Sequence, residues 1–286
     1  MIIMSSSKIT KISYSAYSLY KNCGHRYYLE NIIEAPDFIP SIYAYFGDAM
    51  HDSLRKGVEH SLNEEERINN FIYVFKKLVM DNLQNHSEFA KLKEFTEQGI
   101  EILKIVPTER LSEKYIFIGA EELVVESMYK NYSFIGFIDL ILKNKLTGKY
   151  VIIDWKTSTF PWDVKQKKSD KTFISQMMFY KYFYALKKNI PLQDVDCKYV
   201  VLNRLKKSGD KGGYGAIQNV EIDTDESVME GALEDLAKIT RDIFIKKVFT
   251  KAKLEKRKDS CKYCPFNKNY KLCNDEKKQE LDLVTA

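Results

Sequence analysis

Between residues 134 and 156 the sequence reads FIGFIDLILKNKLTGKYVIIDWK. Two apolar runs each carry one aspartate, Asp139 and Asp154, and Lys156 follows two residues after the second. One of these charges alone reads as a cap at a strand end. Three of them in runs this apolar need partners, because burying an unpaired charge is costly. Two neighbouring carboxylates repel unless a cation sits between them, and oxygen ligands suit magnesium or manganese. A divalent ion there polarises a phosphate and lowers the pKa of a bound water. A lysine ammonium steadies that water, or the charge that grows on phosphorus in the transition state. The chemistry expected of the trio is metal-assisted activation of a phosphate and of a bound water.

A second constellation lies near the C-terminal end. Cys261, Cys264 and Cys273 read CKYCPFNKNYKLC, a Cys-x2-Cys-x8-Cys. Such spacing lets thiolates share one metal or cluster. With one distant cysteine they could hold structural zinc or a [4Fe–4S] cluster, and spacing does not separate the two. Of the other cysteines, Cys197 sits in an apolar strand and reads as a buried thiol.

The elements that must position these groups follow from periodicity. Strand geometry puts Asp154 and Lys156 on one face and Trp155 on the other. The turn-like Leu146-Thr147-Gly148 predicts a hairpin that sets Asp139 beside Asp154. Before it, residues 1–12 suggest a tail or short edge strand. Residues 13–33 read as helix, capped by Ser13 and broken at Asn22-Cys23-Gly24. Residues 43–56 read as a helix carrying His51. Residues 61–112 are helical and mostly polar, with a packing stripe of Phe71, Val74, Phe75, Leu78 and Val79. Residues 115–129 read as an interrupted strand in which Glu122 is a possible outer ligand. After the hairpin come a loop over 157–168 with Pro161-Trp162, and a helix over 170–188 that puts Gln176 and Tyr180 on one face. Strands over 196–203 and 214–222 follow, and then a helix over 225–248 striped by Met229, Leu233, Leu236, Ile239 and Ile243. Trp162 is expected to pack, with base stacking as the alternative.

Gly-Phe-Ile-Asp at 136–139, Asp154-Trp155-Lys156-Thr157-Ser158 and Gln176-x-x-x-Tyr180 together resemble the PD-(D/E)XK nucleases. The closest look is to the RecB/AddB-like branch, which includes the CRISPR-associated adaptation nuclease. Ile138 stands where the literal proline would be, and Gly24 where a proline usually follows the first cysteine. The resemblance runs from about residue 13 to 275. It implies an α/β restriction-endonuclease-like core, a central mixed sheet flanked by helices. It also implies that His51, Asp139, Asp154 and the backbone carbonyl of Trp155 hold Mg²⁺ or Mn²⁺, that Lys156 activates water, and that Gln176 and Tyr180 support the site or the DNA. The histidine ligand tilts the preference toward manganese. In iron–sulfur members one cysteine precedes the core and three follow it, with Pro-Phe after the second of the three. Cys23, Cys261, Cys264 and Cys273, with Pro265-Phe266, match that order. Such a cluster would staple the two ends of the chain and close a long loop. The implied division is 1–60 (first cysteine and histidine helices), 61–112 (helical insertion), 113–250 (nuclease core) and 251–286 (cluster segment and tail).

Composition argues for a soluble protein with a sizeable core. Of 286 residues, 44% are hydrophobic and 30% charged, with a formal net charge of +5. Basic stretches at 165–171, 204–211 and 246–258 could follow a phosphate backbone. No apolar run is long enough to span a bilayer. The start, MIIMSSSKITK, does not read as a secretory signal, so a cytoplasmic location in a cell or phage-infected host is expected. No Walker-type loop is present, so this is not a helicase, though a helicase or recombination partner remains open. The expected activity is exonucleolytic, on single-stranded or end-processed DNA in repair, recombination or phage DNA metabolism. The alternatives are a structure-specific endonuclease and a non-enzymatic DNA-binding subunit of a helicase–nuclease complex.

Overall fold

The computed structural model describes residues 10–35, 41–82, 89–106, 111–129, 132–205, 214–223, 225–252, 261–262, 264–267 and 270–273. The helices are α1 (Tyr14–Asn22), α2 (Gly24–Asn31), α3 (Ile42–Glu59), α4 (Glu64–Asn82), α5 (Leu92–Ile105), α6 (Leu111–Lys114), α7 (Val164–Ser169), α8 (Lys171–Lys188), α9 (Glu226–Arg241) and α10 (Tyr270–Cys273). The strands are β1 (Thr10–Ser13), β2 (Tyr115–Tyr129), β3 (Tyr132–Asn144), β4 (Tyr150–Ser158), β5 (Val195–Leu205) and β6 (Tyr214–Glu221). Chain contacts divide them into two compact units, Met1–Lys11 with Pro40–Ala232, and Ile12–Ile39 with Leu233–Ala286.

The first unit is built on a mixed sheet of order β1-β3-β4-β5-β6, with β2 also on β3. The predicted hairpin is present: β3 and β4 are antiparallel, with Leu140 opposite Ile153 and Lys143 opposite Tyr150. Its turn is closed by Asn144, whose side chain accepts from the backbone of Leu146 and Thr147. Gly148 supplies the left-handed residue, at φ 72°. β4 and β5 run parallel, with Asp154 beside Tyr199, and the crossover between them carries α8.

Alternation along β4 and β5 feeds two cores. On one sheet face Val151, Ile153, Trp155, Val200 and Leu202 pack with α3, α4 and α5. The predicted stripe on α4 lies in this core, with Phe71, Phe75 and Val79 fully buried and Val74 and Leu78 packed beside them. Phe46 meets Phe71, Phe75 and Phe95 edge-on, with centroids 5.6–5.8 Å apart. Gly99 on α5 lets Phe71 approach, since a Cβ there would lie 2.2 Å from the ring. On the other face α8 packs through Phe173 against Tyr199, centroids 4.4 Å apart, and through Phe183 stacked on Phe134 at 4.5 Å.

The second unit holds α1 and α2, joined at Cys23 as the Asn-Cys-Gly break predicts. Ser13 caps α1 by accepting from the backbone of Ala16, and Lys21 and Tyr17 share Asp235.

Two expected segments come out differently. The loop expected over 157–168 gains a helical turn, α7, because Asp163 accepts from the backbone of Gln166 and caps it. The helix expected over 225–248 ends as an α-helix at Arg241 and continues as a π-turn over Asp242–Lys246. Lys247 at φ 55°, and the bond from Val248 N–H to the Asp242 carbonyl, stop it there. Among the described residues no helix is long and apolar enough to cross a membrane.

Candidate active site and cysteine cavity

The two aspartates meet at the point where the β3–β4 ladder ends. One step beyond Leu140–Ile153 the register brings Asp139 opposite Asp154. There a carboxylate replaces a backbone carbonyl: the N–H of Trp155 donates to Asp139 Oδ2 at 2.7 Å. Trp155 itself turns into the aromatic core and is 4% exposed, as the alternation predicts. Asp154 turns the other way, toward α8, and is 2% exposed.

Asp154 is held from two sides. Gln176 Nε2 donates to its Oδ1 at 2.7 Å. Lys156 Nζ lies 2.5 Å from Oδ2, but Oδ2 accepts no hydrogen bond of good geometry. Burial pushes the carboxyl up to about 6, with nearby Asp139 adding to the rise and Lys156 and His51 working against it. His51 on α3 brings Nδ1 to 3.5 Å from Asp139 Oδ2. Burial alone would lower the histidine, but Asp139 and Asp154 outweigh it and the net shift is upward. Gly47, one turn before His51, lies beside the end of β4, where a Cβ would meet Thr157 Oγ1 at 3.4 Å.

Gln176 and Tyr180 share a helix face and a bond, Nε2 to the tyrosine hydroxyl at 3.2 Å. Both are buried, so in this structure they brace Asp154 from beneath. Tyr180 fits because residue 136 is glycine: a Cβ there would lie 2.8 Å from Tyr180 Cε1. Tyr199 was missed in the sequence. Its hydroxyl lies 2.9 Å from the Phe173 carbonyl and 3.3 Å from Gln176 Oε1, and Lys156 Nζ sits 5.6 Å above its ring. The parallel register that sets Tyr199 beside Asp154 is the only signal for it, and a single strand does not carry it.

Glu122 pairs with Ile138 through the backbone, and its side chain lies outside the described residues. Trp162 packs edge-on against Phe173 at 5.1 Å. Arg204, counted from the sequence in a basic stretch, is instead 5% exposed. It lies 4.2 Å above the Phe95 ring and donates to Gln98 at 2.8 Å, because even-numbered positions of β5 face the aromatic core. Most of the other basic residues at 204–211 and 246–258 fall outside the described residues.

In the second unit Cys23, Cys261, Cys264 and Cys273 line one cavity of about 160 Å³, together with Arg26 and Phe266. Cys23 caps α2, accepting from Arg26 N–H at 3.4 Å. Cys261 and Cys264 form a turn through a 3.1 Å backbone bond. Burial raises the Cys264 thiol, Phe266 and Arg26 lower it, and Cys273 and Cys23 add to the rise. Cys197 is a separate, fully enclosed thiol pushed up to about 12 by burial, as expected of a core cysteine.

Among the described residues no three His, Cys, Asp or Glu side chains converge in a ready-made metal geometry. The donor chemistry of the aspartate site nevertheless fits a hard divalent cation. The His51 imidazole lies 3.5 Å from the Asp139 carboxylate, Asp154 stands opposite Asp139 on the next strand, and one buried oxygen of Asp154 lacks a hydrogen bond. The four thiols of the cavity are the donors that zinc or an iron–sulfur cluster takes.

No curated protein matches this sequence. A solved structure, "Crystal structure of SSO0001", is 13% identical and aligns over 92% of this chain and 96% of that chain with a TM-score of 0.31, too loose to carry an argument. A family description matches residues 11–269, which span the hairpin, both aspartates, α8 and the first two C-terminal cysteines. On that match, this chain belongs to the PD-(D/E)XK nuclease superfamily.

Proposed function

We propose that the protein is a divalent-metal-dependent deoxyribonuclease of the RecB/AddB-like branch. In this reading it acts as an exonuclease on single-stranded or end-processed DNA in repair, recombination or phage DNA metabolism. The observation that carries the nuclease reading is the state of Asp154. A buried carboxylate is held by Gln176, lies beside Lys156, and keeps an oxygen without a hydrogen bond.

His51, Asp139, Asp154 and the Trp155 carbonyl are the proposed ligands of Mg²⁺ or Mn²⁺. When bound, the cation supplies Lewis acidity toward a phosphate oxygen and a more acidic water. The remaining roles belong to the chain. Trp155 N–H fixes the rotamer of Asp139. Gln176 orients Asp154, and Tyr180 and Tyr199 fix the Gln176 amide. Lys156 holds a proton beside the reacting centre, where it orients water and offsets the charge that grows on phosphorus. Cys23, Cys261, Cys264 and Cys273 are the proposed ligands of a structural [4Fe–4S] cluster, with zinc the competing occupant. Lining of a common cavity by all four favours one shared group. The helical stretch 61–112 is proposed as an insertion into the nuclease core.

The test uses end-labelled linear DNA and closed circular DNA, with Mg²⁺ or Mn²⁺ and protein purified without oxygen. Degraded linear DNA, surviving circles and an inert Lys156→Ala variant are expected. Cutting of circles would move the activity to an endonuclease. No cutting by metal-loaded protein would leave a DNA-binding subunit.

A further inference from the structure

Lys156 stands on an aromatic pile that also carries a second lysine. Its Nζ lies 5.6 Å from the centroid of the Tyr199 ring. Tyr199 stacks on Phe173 at 4.4 Å, and Trp162 meets Phe173 edge-on at 5.1 Å and Tyr199 at 6.1 Å. On the same pile Lys167 Nζ lies 5.0 Å from the Trp162 ring and 5.2 Å from the Phe173 ring. The negative face of an aromatic ring attracts an ammonium at such distances. These contacts keep Lys167 Nζ within about 15 Å of Lys156 Nζ.

The pile is fixed to the sheet. Tyr199 belongs to β5 and is fully buried, with its hydroxyl 2.9 Å from the Phe173 carbonyl. Trp162 is pinned to β6: its N–H donates to Gln218 Oε1, and Gln218 Nε2 donates to its carbonyl, both at 2.9 Å. Lys167 is half-buried on α7, whereas its neighbours Lys165, Lys168 and Lys171 are exposed. Lys156 has Asp154 as its counter-ion, and Lys168 has Asp223 at 3.8 Å. Lys167 makes no ion pair among the described residues. It is a cation held in place by rings, beside the reaction centre, with no anion of the chain to neutralise it.

We propose that Lys167 is a substrate-binding residue that takes a backbone phosphate of the nucleic acid a few nucleotides from the one cut beside Lys156. This rests on the nuclease reading above and deepens it to a named contact outside the metal site. One strand of B-DNA advances about 3.4 Å per phosphate, so a span of about 15 Å keeps Lys167 within about four phosphates of the scissile one. An ammonium fixed before binding gives up less side-chain freedom when the phosphate arrives than a free surface lysine does. A phosphate contact of this kind sets the register of the strand and carries no sequence information. Of the basic stretch at 165–171, the aromatic pile singles out Lys167 for it.

The test is equilibrium binding of fluorescent oligonucleotides of several sequences in EDTA, read by anisotropy across a range of salt concentrations, so that no cleavage is needed. Lys167→Gln should weaken binding on the order of 10-fold at low salt, as for losing a hydrogen bond to a charged group. The loss should be the same for every sequence. The slope of log affinity against log salt should shrink by about 0.9 on duplex and about 0.7 on single strand, the value for one phosphate contact. Lys167→Arg should keep both affinity and slope, and Lys168→Gln should change them less than Lys167→Gln. Glutamine keeps most of the stem on the rings, and circular dichroism on each variant checks folding. An unchanged salt slope in Lys167→Gln would overturn the contact. Equal losses in Lys168→Gln would also overturn it, because the stretch would then act as a diffuse basic field. If the unaltered protein binds no DNA at all, the nuclease reading falls and this inference falls with it.

Discussion

Replacing Asp154 with asparagine should make the metal-free protein more stable while removing its activity. The carboxyl sits at about 6 in the folded chain against an ordinary 3.8, chiefly because it is buried. Below pH 4 both folded and unfolded chains hold the proton, and burial of the group is uncharged. Between about 4 and 6 the unfolded chain releases the proton and the folded chain keeps it, so stability falls as pH rises through this window. Above it the folded chain carries the full cost of a buried charge. About two pKa units correspond to about 3 kcal/mol. Asparagine is the neutral isostere and keeps an oxygen for the Gln176 amide, so it escapes that cost. The gap between variant and parent should be near zero at pH 3.5, open between pH 4 and 6, and level off near 3 kcal/mol at pH 7. Urea unfolding in EDTA, followed by tryptophan fluorescence, measures it. The only tryptophans, Trp155 and Trp162, both lie in the unit that holds Asp154. Excess Mg²⁺ or Mn²⁺ should narrow the gap, because a ligand of the folded state stabilises only the protein that binds it. His51 adds a separate slope. Its raised pKa gives stability that is present below pH 6.5 and lost as pH rises through its folded value. A variant less stable than the parent at pH 7, or a gap already open at pH 3.5, would refute the account of Asp154 as a charge stored for a cation.

Two further outcomes follow from the packing. Gly136→Ala places a methyl 2.8 Å from Tyr180 and 3.0 Å from Phe134. It should cost about 1–3 kcal/mol of stability and, by moving Tyr180 and Gln176, slow single-turnover cleavage more than it weakens DNA binding. Equal cleavage rates would uncouple the glycine from the site. Protein purified without oxygen should contain iron and acid-labile sulfide, and Cys264→Ala should lose both and melt earlier. Zinc alone would favour the competing occupant, and a metal-free protein with unchanged melting would remove the shared group.

Much of the site was legible in the sequence because its parts are local. Asp139 and Asp154 sit on two strands joined by a short turn, so alternation and turn chemistry suffice to bring them together. Helical spacing does the same for Gln176 and Tyr180, and Asn-Cys-Gly marks the break at Cys23. The burial of Trp155 away from Asp154 also follows from period two alone. Tertiary structure decided what depends on non-adjacent elements. Parallel pairing of β4 with β5, across a long connection, puts Tyr199 under Lys156. The outer helix layer makes Arg204 an aromatic-stacked core residue, although its sequence context is rich in lysine. The close crossing of α8 over β3 gives Gly136 its reason, and burial by that layer turns Asp154 from an ordinary carboxylate into one that resists ionisation. Sequence spacing encodes which face a residue takes, whereas burial and charge coupling arise only when distant elements close over it.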